Sequence, residues 1–353
     1  MRDRALAPRW RCLPGSNATS WEESIKLPRR QFLQFGAGAA ALLSIARLAW
    51  AQTFPSRRIT IVVPFPPGAL TNNVARTLAE GMHTSLDQPV IVENIAGADG
   101  TIGTGRVAHA APDGYTLVLG TWNTHVTNAA IYALEYDVVR DFEPVVLLPD
   151  APMVLIVKKT MPGNNLNEFI AWLKAYPDKA SMGTAGAGSP PDVLGRLLRK
   201  ETGTQFGLVP YRGAAPAMQD VLAGQIDTMF LNIAAALPQV ASGSVKALGV
   251  TSEKRMAVAP EIPTMDEAGL RGFYFRFWAA LFAPRGTRSD IIDKLNVAAV
   301  KTLTDPSIRQ KLEAQGFEIP PPEKQTPKAL AAFQKAEIEK WWPIIKEAGI
   351  RPQ

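Results

Sequence analysis

The sequence predicts an α/β protein built as two lobes. The 353 residues are enough for about two domains at the usual ~150 residues each. From Arg58 onward, short β-branched runs alternate with amphipathic helical stretches, the pattern of strands and helices layered against a sheet. A second set of the same kind begins near Met153, and the chain ends in helices.

Taken in order, Ile59-Thr60-Ile61-Val62-Val63 reads as a buried strand and 64–70 as a loop. Thr71 is placed to cap a helix whose apolar stripe is Val74, Ala75, Leu78, Ala79 and Met82, at the spacing one helix face requires. Val90-Ile91-Val92 is a second strand, 101–110 a helix and 115–119 a third strand behind the turn Pro112-Asp113-Gly114. These strands are expected to run parallel. The second set has strands near 154–157, 206–209, 226–230 and 245–250, with helices near 166–175, 192–202, 215–223 and 233–241. Helices follow over 289–303, 306–314 and 327–348. Segments 145–157 and 251–283 read as two crossings between lobes. That divides the chain into 52–152 plus 275–353 as lobe 1 and 153–274 as lobe 2.

The net charge of +6 suggests a nucleic-acid partner only until it is located. Residues 1–51 hold eight Lys/Arg and three acids, a net +5, which leaves +1 for the remainder. No nucleic-acid partner is expected. Those residues read as an export leader. Arg29-Arg30 precedes Gln31-Phe32-Leu33 in the manner of a twin-arginine signal, behind an extension over 1–26. An apolar stretch over 35–48 follows, and Ala49-Trp50-Ala51 puts small residues where a signal peptidase cuts. The stretch is shorter than the ~20 apolar residues of a membrane span, and Arg47 interrupts it. The expectation is a periplasmic protein, exported by the twin-arginine route with its signal cleaved. The single cysteine, Cys12, lies in the leader, so the mature chain has no disulfide or thiolate metal site.

Ligands of open α/β sheets collect beyond the carboxyl ends of strands, where helix N-termini present free N–H groups. Four segments answer that description: 65–72 with Phe65, Gly68, Ala69, Thr71 and Asn72; 120–125 with Thr121, Trp122, Asn123 and Thr124; 183–192 with Thr184, Gly188 and Ser189; and the strand end at Asn232. Ser189 is placed to cap a helix that opens on Pro190 and Pro191. None is a phosphate loop, because G-x-x-x-x-G-K-[ST] is absent and Gly186-x-Gly188 lacks the third glycine. His83, His109 and His125 have no helical zinc spacing, and no G-x-S-x-G elbow occurs. The first two fall at helix ends, and Trp341-Trp342 reads as packing of the last helix. No catalytic residue, metal or cofactor is expected, and the protein is expected not to be an enzyme.

At these loops the chain resembles the Bug-type receptors, the periplasmic solute-binding components of tripartite tricarboxylate transporters. The resemblance runs from about Phe54 to the C-terminus. It rests on Pro55-Ser56-Arg57-Arg58 with the strand through Phe65, on Val90-Ile91-Val92-Glu93-Asn94 and on Ala111-Pro112-Asp113-Gly114-Tyr115-Thr116-Leu117. Further on it rests on Val209-Pro210-Tyr211-Arg212-Gly213-Ala214-Ala215-Pro216-Ala217 and Pro263-Thr264-Met265-Asp266-Glu267-Ala268-Gly269-Leu270. It implies a type II, Venus-flytrap fold with two crossings. It also implies a cleft that holds a small organic carboxylate by N–H groups, hydroxyls and water, and delivery of that solute, by a monomer, to membrane permease subunits. A sensory receptor docking on a signalling partner needs the same closing cleft, so both roles stay open.

The family's first loop usually reads P-G-G-A-T-D, where this chain has Pro67-Gly68-Ala69-Leu70-Thr71-Asn72; Leu231 also stands where Asp is common. With those two acids missing, the expected ligand carries no ammonium. Trp122, at a position often small, is expected to narrow the pocket or stack on an aromatic ligand.

Overall fold

A computed structural model describes residues 54–68 and 70–351. The leader, with Arg29, Arg30, Ala49 and Ala51, lies outside the described residues, as does Ala69 of the first loop.

The strands are β1 (Ile59–Val63), β2 (Val90–Asn94), β3 (Thr116–Thr121), β4 (Phe142–Leu147), β5 (Ala151–Lys158), β6 (Ser181–Thr184), β7 (Gly207–Pro210), β8 (Thr228–Asn232), β9 (Val245–Val250), β10 (Arg276–Phe277) and β11 (Ala279–Pro284). The helices are α1 (Leu70–Leu86), α2 (Thr101–Ala108), α3 (Asn128–Ile131), α4 (Leu166–Ala175), α5 (Pro190–Thr202), α6 (Ala214–Leu222), α7 (Ile233–Ala241), α8 (Ser289–Thr304), α9 (Pro306–Glu313) and α10 (Pro327–Glu347). The strands form two sheets. One runs β2-β1-β3-β11-β4; the other runs β10-β5-β8-β6-β7, with β9 also on β5.

Both sheets are mixed, which corrects the expectation of parallel strands. β1 pairs parallel with β2 and β3, but β11 runs antiparallel to both β3 and β4. In the second sheet β6 is parallel to β7 and β8, while β5 is antiparallel to β8, β9 and β10. The antiparallel strands are those carried by the expected crossings, because a chain returning to a sheet from outside enters in either direction. Four strands lay outside the sequence reading. β4 carries Pro144, which marks an edge position, and β4 is indeed the edge of its sheet, with a register shift in β11 opposite it. β6 is short and contains Gly183, and β11 is rich in alanine; neither has the β-branched signature.

The helices cover the sheets with the faces their periodicity announces. The α1 stripe from Val74 to Met82 is buried in a core shared with β1, β3 and α8. Where the chain passes between sheets, Arg276 pairs with Asp150 and, at 2.8 Å, with Glu318. The last helix, α10, opens on a cap in which the Thr326 hydroxyl accepts from Ala329 N–H at 3.2 Å. It then braces the segment after β3: Gln334 Nε2 donates to the carbonyls of His125 and Val138 at 3.2 and 2.9 Å, and Trp342 Nε1 to that of Val126 at 2.9 Å. Trp341 packs inward as expected. Among the described residues no helix is long and apolar enough to cross a membrane.

Candidate functional site

Parallel pairing puts the carboxyl ends of β1, β2 and β3 on one edge, and those of β6 and β8 on one edge of the second sheet. The two edges meet at Gly188. It has φ +74, and a Cβ there would lie 2.6 Å from Ile131 Cδ1 and 3.1 Å from Thr127 Cγ2. Only glycine lets this loop approach the segment after β3 so closely.

On the first edge, α1 begins at Leu70, so Thr71 lies in the first turn and is not the cap. Its hydroxyl is buried without a partner. Asn72 is fully engaged: Nδ2 donates to Asn94 Oδ1 and Oδ1 accepts from Arg76 Nε, both at 2.8 Å. Asn94 in turn donates to the Phe65 carbonyl at 2.9 Å. The pair is a strut that sets the first loop, and both polar atoms of Asn72 are already engaged within it. Gly68, at φ +89, is exposed, and a methyl group on it would meet nothing within 4 Å.

After β3 the chain makes one π-turn over Asn123–Thr127, in which Asn128 N–H reaches back to the Asn123 carbonyl; such turns recur at functional sites. The hydroxyls of Thr121 and Thr124 are spent on each other's backbone. Thr121 N–H donates to Thr124 Oγ1 at 2.9 Å and Thr124 N–H to Thr121 Oγ1 at 3.4 Å. They shape the turn as a reciprocal cap does. Trp122 is buried, edge-on to Phe275 at 5.1 Å and to Trp341 at 5.4 Å. It supports the turn from the core, which corrects the expectation that it narrows the pocket or stacks on a ligand. His125 stacks on Phe282 at 4.1 Å, and complete burial pushes its pKa down to about 3, so the imidazole is neutral. His83 and His109 bond carbonyls at the ends of α1 and α2, as their positions suggested.

On the second edge, Ser189 stands at the N-cap of α5, as expected, but its side chain does not bond the helix. Its hydroxyl turns back to donate to the Gly186 carbonyl at 2.6 Å and accept from Ala185 N–H at 3.2 Å. Gly188 N–H is taken by Asp192, itself paired with Arg196. Thr184 is buried at the end of β6. Asn232 caps α7 through Oδ1, which accepts from Ala234 N–H at 2.9 Å, and leaves Nδ2 buried and unpartnered. Leu231 lies in the apolar core.

The structure adds a fifth segment, 97–100 after β2. Gly97, Ala98, Asp99 and Gly100 all have positive φ, at +136, +45, +51 and +88; for Ala98 and Asp99 that costs about 1–2 kcal/mol apiece. Asn123 Nδ2 approaches Asp99 Oδ2 at 3.3 Å, and Asn128 Nδ2 donates to the Asp99 carbonyl at 2.9 Å. Desolvation raises the Asp99 carboxyl to about 6, and burial together with that acid raises the nearby Tyr132 hydroxyl. Thr127 Oγ1 and Asn128 Oδ1, in the same region, are buried without partners. The signal was available: Gly-Ala-Asp-Gly follows a strand just as the other four loops do, but 101–110 reads so readily as a helix that its preceding turn passes for an ordinary entry. With Asp99 present, the lack of an acid at positions 72 and 231 does not exclude an ammonium-bearing ligand. Among the described residues no cluster of His, Cys, Asp or Glu could hold a metal ion.

Two mixed α/β sheets whose glycine-rich strand-end loops meet at Gly188 have the architecture of a two-lobed solute-binding protein. Residues 74–350 match the family model described as the tripartite tricarboxylate transporter family receptor, and the chain belongs to that family. Protein BugT of Bordetella pertussis is 35% identical over 317 residues, 89% of this chain and 94% of that protein. Among solved structures, MatC from Rhodopseudomonas palustris with bound malate is 39% identical with a TM-score of 0.75, covering 83% of this chain and all of the other. A second R. palustris structure, with adipate, is 32% identical with a TM-score of 0.77, covering 85% of this chain and all of the other. The family and these neighbours are solute-binding proteins and not enzymes.

Proposed function

We propose that the protein captures a small organic carboxylate between the two strand-end edges and delivers it to the permease subunits of a tripartite transporter, after export by the twin-arginine route. One observation carries the binding part. Four buried polar atoms without partners lie on the loops of the two edges: Thr71 Oγ1, Thr127 Oγ1 and Asn128 Oδ1 on one, Asn232 Nδ2 on the other. Leaving such a group unpaired costs about 1–3 kcal/mol, so a ligand that pairs several at once has a large source of affinity. The loops carry no Lys or Arg; an anion there is held by hydroxyls, an amide and backbone N–H groups at helix starts. The malate and adipate of the neighbouring structures have the chemistry such a set recognises. The leader supports export, through Arg29-Arg30 and the Ala49-Trp50-Ala51 site. A thermal-shift screen of mono-, di- and aromatic carboxylates tests the reading: a ligand at 100- to 1,000-fold its Kd adds roughly 3–4 kcal/mol of apparent stability. A protein that no carboxylate stabilises does not have this function. Loss of uptake of the identified carboxylate on deleting the gene tests delivery.

A further inference from the structure

Around Asp99, strong hydrogen-bond acceptors are left under-used. Asp99 contributes two carboxylate oxygens and receives one side-chain hydrogen bond, from Asn123 at 3.3 Å, which is long for such a bond. Beside it, Asn128 Nδ2 is fixed on the Asp99 carbonyl. That contact assigns the orientation of the amide and leaves Oδ1, the acceptor end, buried and unpartnered. The titratable group that shares these surroundings is the Tyr132 hydroxyl, and no cation among the described residues offsets the carboxylate. The backbone that presents Asp99 is held in a run of four positive φ values, a geometry that persists only where its surroundings enforce it. Thr71 and Asn232 offer neutral donors suited to a carboxylate. Asp99 and Asn128 offer the opposite, a place where a second anion is repelled and a donor is wanted.

Resting on the carboxylate-cleft reading above, we propose that Asp99 is the specificity-determining residue of the cleft, selecting carboxylates whose far end carries a hydrogen-bond donor, an ammonium or hydroxyl, over dicarboxylates. The donor end sits against Asp99 and Asn128 while the carboxylate takes the hydroxyl and amide donors. The burial that raises the Asp99 pKa to about 6 makes the preference depend on pH. Above 6 the acid is ionised and favours a donor; below it the acid is protonated and the penalty on a second anion is relieved.

Calorimetry on the purified protein with two series matched in chain length tests this. The series are succinate, 4-hydroxybutyrate and 4-aminobutyrate, and adipate, 6-hydroxyhexanoate and 6-aminohexanoate. At pH 7.5 a donor-bearing member is expected to bind at least tenfold more tightly than its dicarboxylate. The isosteric Asp99→Asn is expected to reduce that ratio to threefold or less. In the wild-type protein alone, lowering the pH from 7.5 to 6, where Asp99 begins to protonate while a free carboxylic acid is still mostly ionised, should weaken the donor-bearing ligand relative to the dicarboxylate, which keeps the test valid if the variant is unstable. The expected results separate the hydroxyl from the ammonium as the preferred donor. A dicarboxylate that binds as tightly as its partners at pH 7.5, or an unchanged ratio in Asp99→Asn, overturns the role of Asp99 and leaves the carboxylate cleft standing. If no member of either series binds, the role of Asp99 is overturned, and an empty carboxylate screen would remove the cleft reading with it.

Discussion

Gly81 of α1 lies so close to Thr302 of α8 that a Cβ on the glycine would sit 2.2 Å from the threonine Cγ2. Helix α8 covers the sheet beside α1, and Thr302 Oγ1 is fixed there by donating to the Ala298 carbonyl at 2.9 Å. A methyl at 81 therefore forces the helices apart. Gly81→Ala should cost about 1–3 kcal/mol of stability, the usual range for overpacking, although alanine is the better helix former by about 1 kcal/mol. Denaturant unfolding of the variant checks the sign. Adding Thr302→Ala should recover part of the loss, and ligand affinity should be unaffected because the contact is remote from the strand-end loops.

The strut between Asn72 and Asn94 makes a different expectation. Asn94 ties the Phe65 carbonyl and the Asn72 amide together across the first loop. Asn94→Ala removes both links while leaving the apolar core intact. Carboxylate affinity should fall about tenfold, with a stability loss of roughly 1–3 kcal/mol from the unpaired groups. Unchanged affinity, measured by calorimetry, would mean that this loop does not contribute to the cleft.

Trp122 should behave in the opposite way. Its indole is enclosed by Phe275 and Trp341, so Trp122→Phe should lower the thermal midpoint while changing carboxylate affinity less than threefold. A large affinity loss with little change in the midpoint would return Trp122 to the cleft.

How much of this was legible depended on whether a residue's role is local. Helices α4 and α7 follow the sequence expectation residue for residue, because caps and apolar periodicity are local signals. Strand β11 was not legible: its buried, alanine-rich run is a strand only because β3 and β4 flank it. The same division runs through the strand-end loops. Gly188 follows the end of β6 and Asn232 ends β8, since a glycine-rich turn and a helix cap follow from neighbours in sequence. Whether a polar side chain is left over for a ligand does not. Thr121 and Thr124 satisfy each other, Asn72 is taken by Asn94, and Asp99 is set by contacts with Asn123 and Asn128 more than twenty residues away.

The leader makes an expectation that needs only cell fractionation. Arg29→Lys with Arg30→Lys should abolish export by the twin-arginine route, and the exported protein should have the mass of a chain starting at Gln52. Undiminished export of the double variant would rule out that route.

The two lobes proposed from sequence, 52–152 plus 275–353 and 153–274, make lobe 1 discontinuous. Strand β11, from the later segment, lies between β3 and β4 of the earlier one. A fragment ending at 152 lacks that strand together with α8 and α10, so it should fail to unfold cooperatively. A soluble fragment with a sharp thermal transition would contradict this division.

The last expectation concerns acid. His125 is held neutral by burial, with its pKa pushed from 6.5 to about 3. The unfolded chain binds a proton near pH 6.5 that the folded one refuses. The stability His125 contributes is therefore fully present above pH 6.5 and is lost progressively as pH falls from 6.5 toward 3. The raised acids, Asp99, Asp150 and Glu337, act in the other direction. Each binds its proton more readily in the folded protein, so its favourable contribution is complete at low pH and is lost as pH rises through its folded value, about 6 for Asp99. The net profile of the wild-type protein between pH 4 and 7 is thus a difference of opposed slopes. His125→Gln removes one of them. Its absolute stability should be lower at neutral pH because the stacking on Phe282 is lost, and the decline in stability between pH 6.5 and 4 should become shallower or reverse. Urea unfolding at half-unit pH steps on both proteins measures that change of slope. Parallel profiles would show that His125 is not the group refusing the proton.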